Sequence, residues 1–273
     1  MTRTIYFNGP ILTVDQADSG TEAVLVGKGK ILATGPLAQI EAQAPPDTAR
    51  YDLRGRVMIP AFIDPHGHFP DSGYLGLNRA DLSGPPVGGC ASMAEALERL
   101  REQAANTPPG DWVIGSLFDP TAFAENRLPT RDELDSVSND HPVLVLHFTG
   151  HAGAVNSMGL AARGIGPDTP DPPGAWFGRD PATGALDGSL NGMAAIGELG
   201  DSEFRVSYAD FREAFARAAR EYHAQGVALA QNAWANEKLL SYFLTLGAED
   251  SAEIDCIVLP AAEVEPAYSA GKL

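Results

Sequence analysis

The stretch that decides how this chain is read is Val57-Met58-Ile59-Pro60-Ala61-Phe62-Ile63-Asp64-Pro65-His66-Gly67-His68. Val57 to Ile63 is almost continuously apolar, the signature of a strand covered on both faces, as in parallel sheets. It ends in Asp-Pro-His-Gly-His. Residues two apart on a strand project to the same side, so Asp64, His66 and His68 are expected to share a face as the strand leaves the core. Two imidazoles about 6.5 Å apart on one face can converge on a single ion. Gly67 has no side chain and is expected to leave room for a metal or substrate beside the backbone. A zinc ion held this way lowers the pKa of its bound water to about 7. Two histidines do not complete a four-ligand shell, so the other ligands must come from elsewhere. The alternative for the His-x-His pair is a surface or turn role without metal.

On the N-terminal side the chain reads as short strands joined by tight turns. Thr4–Phe7 and Ile11–Val14 flank Asn8-Gly9-Pro10, and Ala23–Val26 and Ile31–Ala33 flank Gly27-Lys28-Gly29-Lys30. Glycine-rich turns between short β-branched runs predict hairpins. Residues 1–56 are therefore expected to form a small β-domain.

On the C-terminal side, helices stand among many prolines and glycines. Ser92 with Glu95, and Thr130 with Glu133, are capping-box patterns, the first ahead of a helix over Met93–Asn106 with Leu97 and Leu100 inward. Trp112–Phe118 and Val143–Phe148 read as strands, and Gly164–Gly184 as a long ordered loop. Ser207 with Asp210 opens a helix whose apolar stripe is Phe211, Phe215, Ala218, Ala219 and Tyr222. A strand at Val227–Gln231, a helix from about Glu237 to Leu246 closed by Gly247, and a strand at Ile254–Pro260 follow. This order predicts a parallel βαβ unit in an α/β fold. The apolar runs near 60, 230 and 257 fit the first three strands of a (β/α)₈ TIM barrel, which needs roughly 250 residues. Residues 57–273 are thus expected to be the first part of a barrel truncated after about its third strand.

The 19 basic and 36 acidic residues leave a formal charge of −17. That field repels a phosphate backbone and anionic lipid, so neither nucleic acid nor a membrane is an expected partner. No secretory signal and no stretch of about 20 apolar residues is present. The only cysteines, Cys90 and Cys256, fit no paired metal or redox spacing. A cytoplasmic protein is expected. Among the other histidines, His151 lies in a glycine-flanked turn after a strand, where it can reach a site or merely cap the loop. His147 and His141 read as structural, and His223 as complementing a helix terminus. There is no nucleophile elbow and no dinucleotide-binding glycine pattern.

Val57–His68 resembles the first barrel strand of the amidohydrolase superfamily, usually Pro-Gly-Phe-Ile-Asp-x-His-x-His. Asp111–Asp119, Leu128–Val137, His141–Leu160 and Thr169–Asp187 resemble in order the amidohydrolase-3 branch, typified by N-substituted formamide deformylase. The resemblance implies a composite β-sandwich to which residues 1–56 contribute, and a family-type insertion at about 70–205. It implies zinc as the cofactor, as one or two divalent metal ions, with His66 and His68 as ligands. His151, Phe118, Asp119 and Asn232 are implied to lie at a small-molecule amide substrate.

The resulting expectation is a metal-dependent hydrolase that cleaves an amide or other non-peptide C–N bond, of N-acyl or N-formyl type, with metal-activated water. Its general base is expected outside this N-terminal portion, so no catalytic residue is assigned. The rival expectation is a truncated, inactive barrel fragment that binds or associates; association into a homo-oligomer is compatible with either.

Overall fold

In the computed structural model, which describes residues 3–17, 19–199, 206–262 and 264, Lys28 and Gly29 both take positive φ, 54° and 70°. They close a two-residue turn between β2 (Gly20–Gly27) and β3 (Lys30–Gly35), with Gly27 opposite Lys30. A type I′ turn needs this geometry, which glycine adopts without steric cost. The expected hairpin therefore forms. The other does not: β1 (Arg3–Leu12) runs straight through Asn8-Gly9-Pro10, with only a register shift between Phe7 and Ile11. The reason lies on its other edge. Leu53, Gly55 and Met58 donate backbone bonds to the carbonyls of Phe7, Asn8 and Pro10, each at 2.8 Å, which holds a bulge open.

These elements belong to one of two compact units, residues 1–63 with 226–228. Its sheet has the order β3-β2-β1-β4, where β4 (Ala49–Asp52) lies parallel to β1. Ile5, Ala23 and Leu25 are buried with Ile40 of α1 (Leu37–Gln43). The run 57–63 departs from expectation. Only β5 (Phe62–Ile63) is strand, and Val57, Ile59, Phe62 and Ile63 are 59%, 46%, 55% and 63% exposed. Met58 spends its amide and carbonyl on Pro10 and Leu12 of β1, and Pro60 has no N–H to donate. Pairing starts only at Phe62, whose amide donates to Gly226 at 2.8 Å.

The second unit comprises 64–225 and 229–273. Segment 70–205 supplies a six-stranded sheet, interleaved with helices. In chain order its elements are β6 (Ala80–Asp81), α2 (Met93–Ala105), β7 (Val113–Phe118), α3 (Arg131–Asp135) and β8 (Val143–His147). They continue as β9 (Ala152–Val155), α4 (Ser157–Ala162), β10 (Trp176–Arg179), β11 (Leu186–Asn191) and α5 (Met193–Gly197). Strand order is β10-β11-β9-β8-β7-β6; β6, β7 and β8 run parallel and the rest antiparallel. The stretch read as the loop Gly164–Gly184 thus contains the edge strand β10.

Then come α6 (Tyr208–Ala224), β12 (Val227–Ala235), α7 (Glu237–Ala248) and β13 (Asp255–Pro260). The parallel pairing of β12 with β13 across α7 is the expected βαβ unit. Helix α7 runs on past Gly247. Thr130 and Ser207 both close reciprocal capping boxes. Phe211, Phe215, Ala218 and Ala219 of α6 are buried against Phe69, Ala230 and Leu246. Each of the two phenylalanines contributes about 1.5–3 kcal/mol by burial. The fold is α/β.

Candidate functional site

The His66-Gly67-His68 segment is not a continued strand. Strand pairing ends at Ile63, the chain bends at Pro65 and His66, and His68 re-enters a bridge with Asn232. Alternation along a strand is therefore not what brings the two imidazoles together; the bend is. The rings approach edge to face, with centroids 5.8 Å apart and planes at 83°. Both residues are exposed.

Backbone bonds pin the segment to β12. Asp64 N–H donates to Leu229 O at 2.9 Å, Phe69 N–H to Gln231 O at 3.1 Å, and Ala233 N–H to Gly67 O at 2.8 Å. The Asp64 carboxylate does two further things. Its Oδ1 accepts from His66 N–H at 3.1 Å, and its Oδ2 accepts from the Tyr222 hydroxyl at 3.0 Å. A Cβ on Gly67 would lie 2.3 Å from Asp64 Oδ2 and 3.3 Å from Gln231 O. The room beside Gly67 thus belongs to the chain's own carboxylate and carbonyl, not to a metal or substrate.

With Zn–N bonds of about 2.1 Å and tetrahedral angles, two imidazoles on one ion have centroids about 5–6 Å apart. The observed 5.8 Å fits, and imidazole nitrogen is an appropriate donor. Among the described residues, no group of three His, Cys, Asp or Glu side chains is placed to share an ion. His66 and His68 stand as a pair of neighbouring imidazoles at the bend.

Beside His68 lies a cavity of about 410 Å³, within the size range of small-molecule sites. One wall is His68, Asp71, Tyr74 and Arg79; a second is Phe148, Thr149, Gly150 and His151; Asn232, Trp234, Lys238 and Tyr242 close it. His151 and Asn232 thus line the cavity together with His68. Asn232, 2% exposed, turns its polar atoms inward on the chain. Its Nδ2 donates to Phe69 O at 2.8 Å and its Oδ1 accepts from Trp234 N–H at 3.1 Å. It ties the Phe69 and Trp234 backbone together beside the cavity.

The remaining two expected residues lie away from the lining. Phe118 is fully buried and stacks on Phe123, centroids 4.4 Å apart, because its strand position faces the core of the six-stranded sheet. Asp119 Oδ1 accepts from the Thr121 amide and hydroxyl at 3.0 and 2.8 Å. Its charge is still felt by His147. Burial pushes the His147 pKa down, and Asp119 opposes that. His147 Nδ1 meets the Thr149 hydroxyl at 2.8 Å and so braces the turn that carries His151.

Several cavity residues went unnoticed in the sequence. Asp71 lines the cavity and keeps an exposed surface; the protein packed around its carboxyl raises its pKa, with Arg79 and then His68 opposing. Arg79 stacks over the Tyr74 ring at 4.9 Å, and Lys238 lies 6.0 Å from the Tyr242 ring. The available signals were weak. Asp71 and Tyr74 follow His68 closely, and Lys238 and Tyr242 are four apart on α7.

Residues 50–273 match the profile of the amidohydrolase family. The chain is 36% identical over 195 residues to N-substituted formamide deformylase of Arthrobacter pascens, covering 71% of this chain and 35% of that protein. It is 35% identical over 179 residues to YtcJ of Bacillus subtilis, itself named only as a candidate amidohydrolase, covering 65% of this chain and 33% of that one. The chain thus spans about a third of the length of these relatives. Among solved structures, an uncharacterized metal-dependent hydrolase of Pyrococcus furiosus superposes on 99% of this chain and 53% of its own, with a TM-score of 0.70 at 20% identity. A counterpart from Pyrococcus horikoshii OT3 gives 0.68 at 23% identity, over 99% and 51% of the two chains. These likenesses describe the fold.

Proposed function

The chain belongs to the amidohydrolase family, in its amidohydrolase-3 branch, and we propose that it carries part of the active site of a metal-dependent hydrolase acting on an amide or other non-peptide C–N bond. The observation that carries this reading is the approach of the His66 ring to 5.8 Å from that of His68, which lines the cavity. His66 and His68 would hold the metal, zinc being the ion that suits two neutral imidazoles. A bound divalent cation supplies Lewis acidity, which polarises a carbonyl and acidifies water.

This chain's own residues do the rest of what is proposed here. Asp64 fixes the turn that presents the imidazoles. Tyr74, Phe148, Trp234 and Tyr242 give the cavity aromatic walls suited to the organic part of an N-acyl or N-formyl amide. His151 and Asp71 bring polar groups to the same space. No further ligand and no general base is assigned among the described residues, and the aligned part covers about a third of each relative's length. A cytoplasmic location is part of the proposal; no described helix is long and apolar enough to cross a membrane.

The second reading is a binding or association module without turnover. It draws on one observation, that no third ligand joins the two imidazoles among the described residues. Elemental analysis and an assay on N-formyl and N-acyl amides separate the two. The first reading expects stoichiometric zinc, lost on His66→Ala with His68→Ala; unchanged metal content in that double variant removes it.

A further inference from the structure

We propose that Tyr222 is a positioning residue for the paired imidazoles, acting through the Asp64 carboxylate. The proposal rests on the reading of His66 and His68 as metal ligands. Three independent features of the structure converge on Asp64. One carboxylate oxygen accepts the His66 amide at 3.1 Å, which closes the bend immediately ahead of His68. The other accepts the Tyr222 hydroxyl at 3.0 Å, from a residue 158 positions away on α6. Against the same oxygen, Gly67 lacks a Cβ that would stand 2.3 Å away.

A carboxylate on an exposed bend has no reason to keep one rotamer. Bonding to Tyr222 gives it one, because that ring is itself fixed. It packs edge to face on Phe69, centroids 5.2 Å apart, inside the aromatic cluster of α6. Burial, followed by the bond to Asp64, raises the Tyr222 pKa to about 12, so its proton stays available for donation. The chain of contacts is therefore core, phenol, carboxylate, His66 amide, imidazole pair. Groups one step behind metal ligands commonly tune affinity by orienting the ligands.

Tyr222→Phe keeps the ring and its packing and removes only the oxygen. Two readouts are made on the full chain. Metal-free, the imidazole C–H NMR signals of His66 and His68 report their mutual edge-to-face geometry. With zinc chloride as the probe, competition against a chromogenic chelator gives the affinity. The expected result is displaced signals for both rings and zinc affinity weakened about tenfold. Gly67→Ala, which displaces the carboxylate by a different route, is expected to do the same and carries the test should Tyr222→Phe not fold. Tyr208→Phe is the control. It removes a hydroxyl that donates to Glu249 at 2.9 Å from the same helix, and should change neither readout.

Unchanged ring signals in Tyr222→Phe and Gly67→Ala, or displaced signals with zinc affinity within twofold of the parent, overturn the proposal. A parent chain that takes up no zinc refutes the metal reading instead, and the ring signals then decide the positioning role alone.

Discussion

Gly73→Ala should be the most damaging single methyl that can be added near the cavity. Gly73 lies in the one-turn helix Asp71–Tyr74, between two residues that line the cavity. A Cβ there would stand 1.9 Å from the carbonyl oxygen of Ala214, 2.6 Å from its carbon and 2.8 Å from its Cα. These are backbone atoms in the middle of α6, and no rotamer change can relieve the overlap. Either α6 or the turn must retreat by about 1 Å, since real Cβ atoms essentially never come within 3.0 Å. Retreat of α6 would pull Phe215 from Phe69, whose centroids are 4.9 Å apart. Overpacking of this kind costs about 3 kcal/mol. With a urea m-value of about 3 kcal/mol per molar, the midpoint should fall by about 1 M. Gly247→Ala supplies the counterpart. It is the same chemical change inside α7, at ordinary helical φ with no atom within 4 Å of the new carbon. It should gain about 0.5–1 kcal/mol, raising the midpoint slightly. A Gly73→Ala midpoint at or above that of the parent would refute the close-approach argument outright.

Other outcomes follow from the same contacts. The Arg127 guanidinium, with help from the Thr130 amide and hydroxyl, holds the Glu133 pKa down at about 2 from its usual 4.5. A depressed carboxylate stabilises the fold fully above about pH 4.5 and loses that contribution as pH falls toward 2. Acid titration of Glu133→Gln should therefore show a shallower stability loss between those pH values than the parent; equal slopes would count against it. Asn156, buried at 1% exposure, accepts from the amides of Val143 and Gly159 at 2.9 and 2.8 Å and donates to His141 O at 3.0 Å. Asn156→Ala strands two buried donors and should cost about 2–4 kcal/mol in chemical denaturation. A loss no larger than that of the exposed cap variant Thr130→Ala, about 1 kcal/mol, would contradict this. Asp119→Asn removes the charge that opposes burial at His147, so the His147 midpoint followed by NMR should move down; an upward move would be inconsistent with the structure.

The helix caps and the tight turn that were readable in the sequence share one property: they are decided within four or five residues. Ser207 and Asp210 cap α6 because a hydroxyl and a carboxylate three apart can reach each other's amides, whatever lies elsewhere. Lys28-Gly29 turns because two successive positive φ values suit only a few residue types. Asn8-Gly9-Pro10 has equally good local credentials and does not turn, because Leu53, Gly55 and Met58, some 45 to 50 residues on, claim the carbonyls around it. The long-range bond wins over the local preference there, and no window of sequence contains both partners.

The same distinction applies to how His66 and His68 come together. Strand alternation would place His66 and His68 on one face whatever surrounded them, but the chain ceases to be a strand at Ile63 and reaches the same pairing through a bend. The bend depends on Asp64 accepting from His66 on one side and from Tyr222 on the other, a pairing of residues 158 apart. Phe118 and Asp71 fail in the complementary way. Phe118 carries the resemblance yet faces the core, while Asp71 carries none and faces the cavity, because which side of a backbone meets a ligand is settled by packing. A motif of this kind specifies the donor atoms. The angle at which those atoms are offered is a property of the residues behind them, which is why the oxygen on Tyr222 is a sharper test of this site than the histidines themselves.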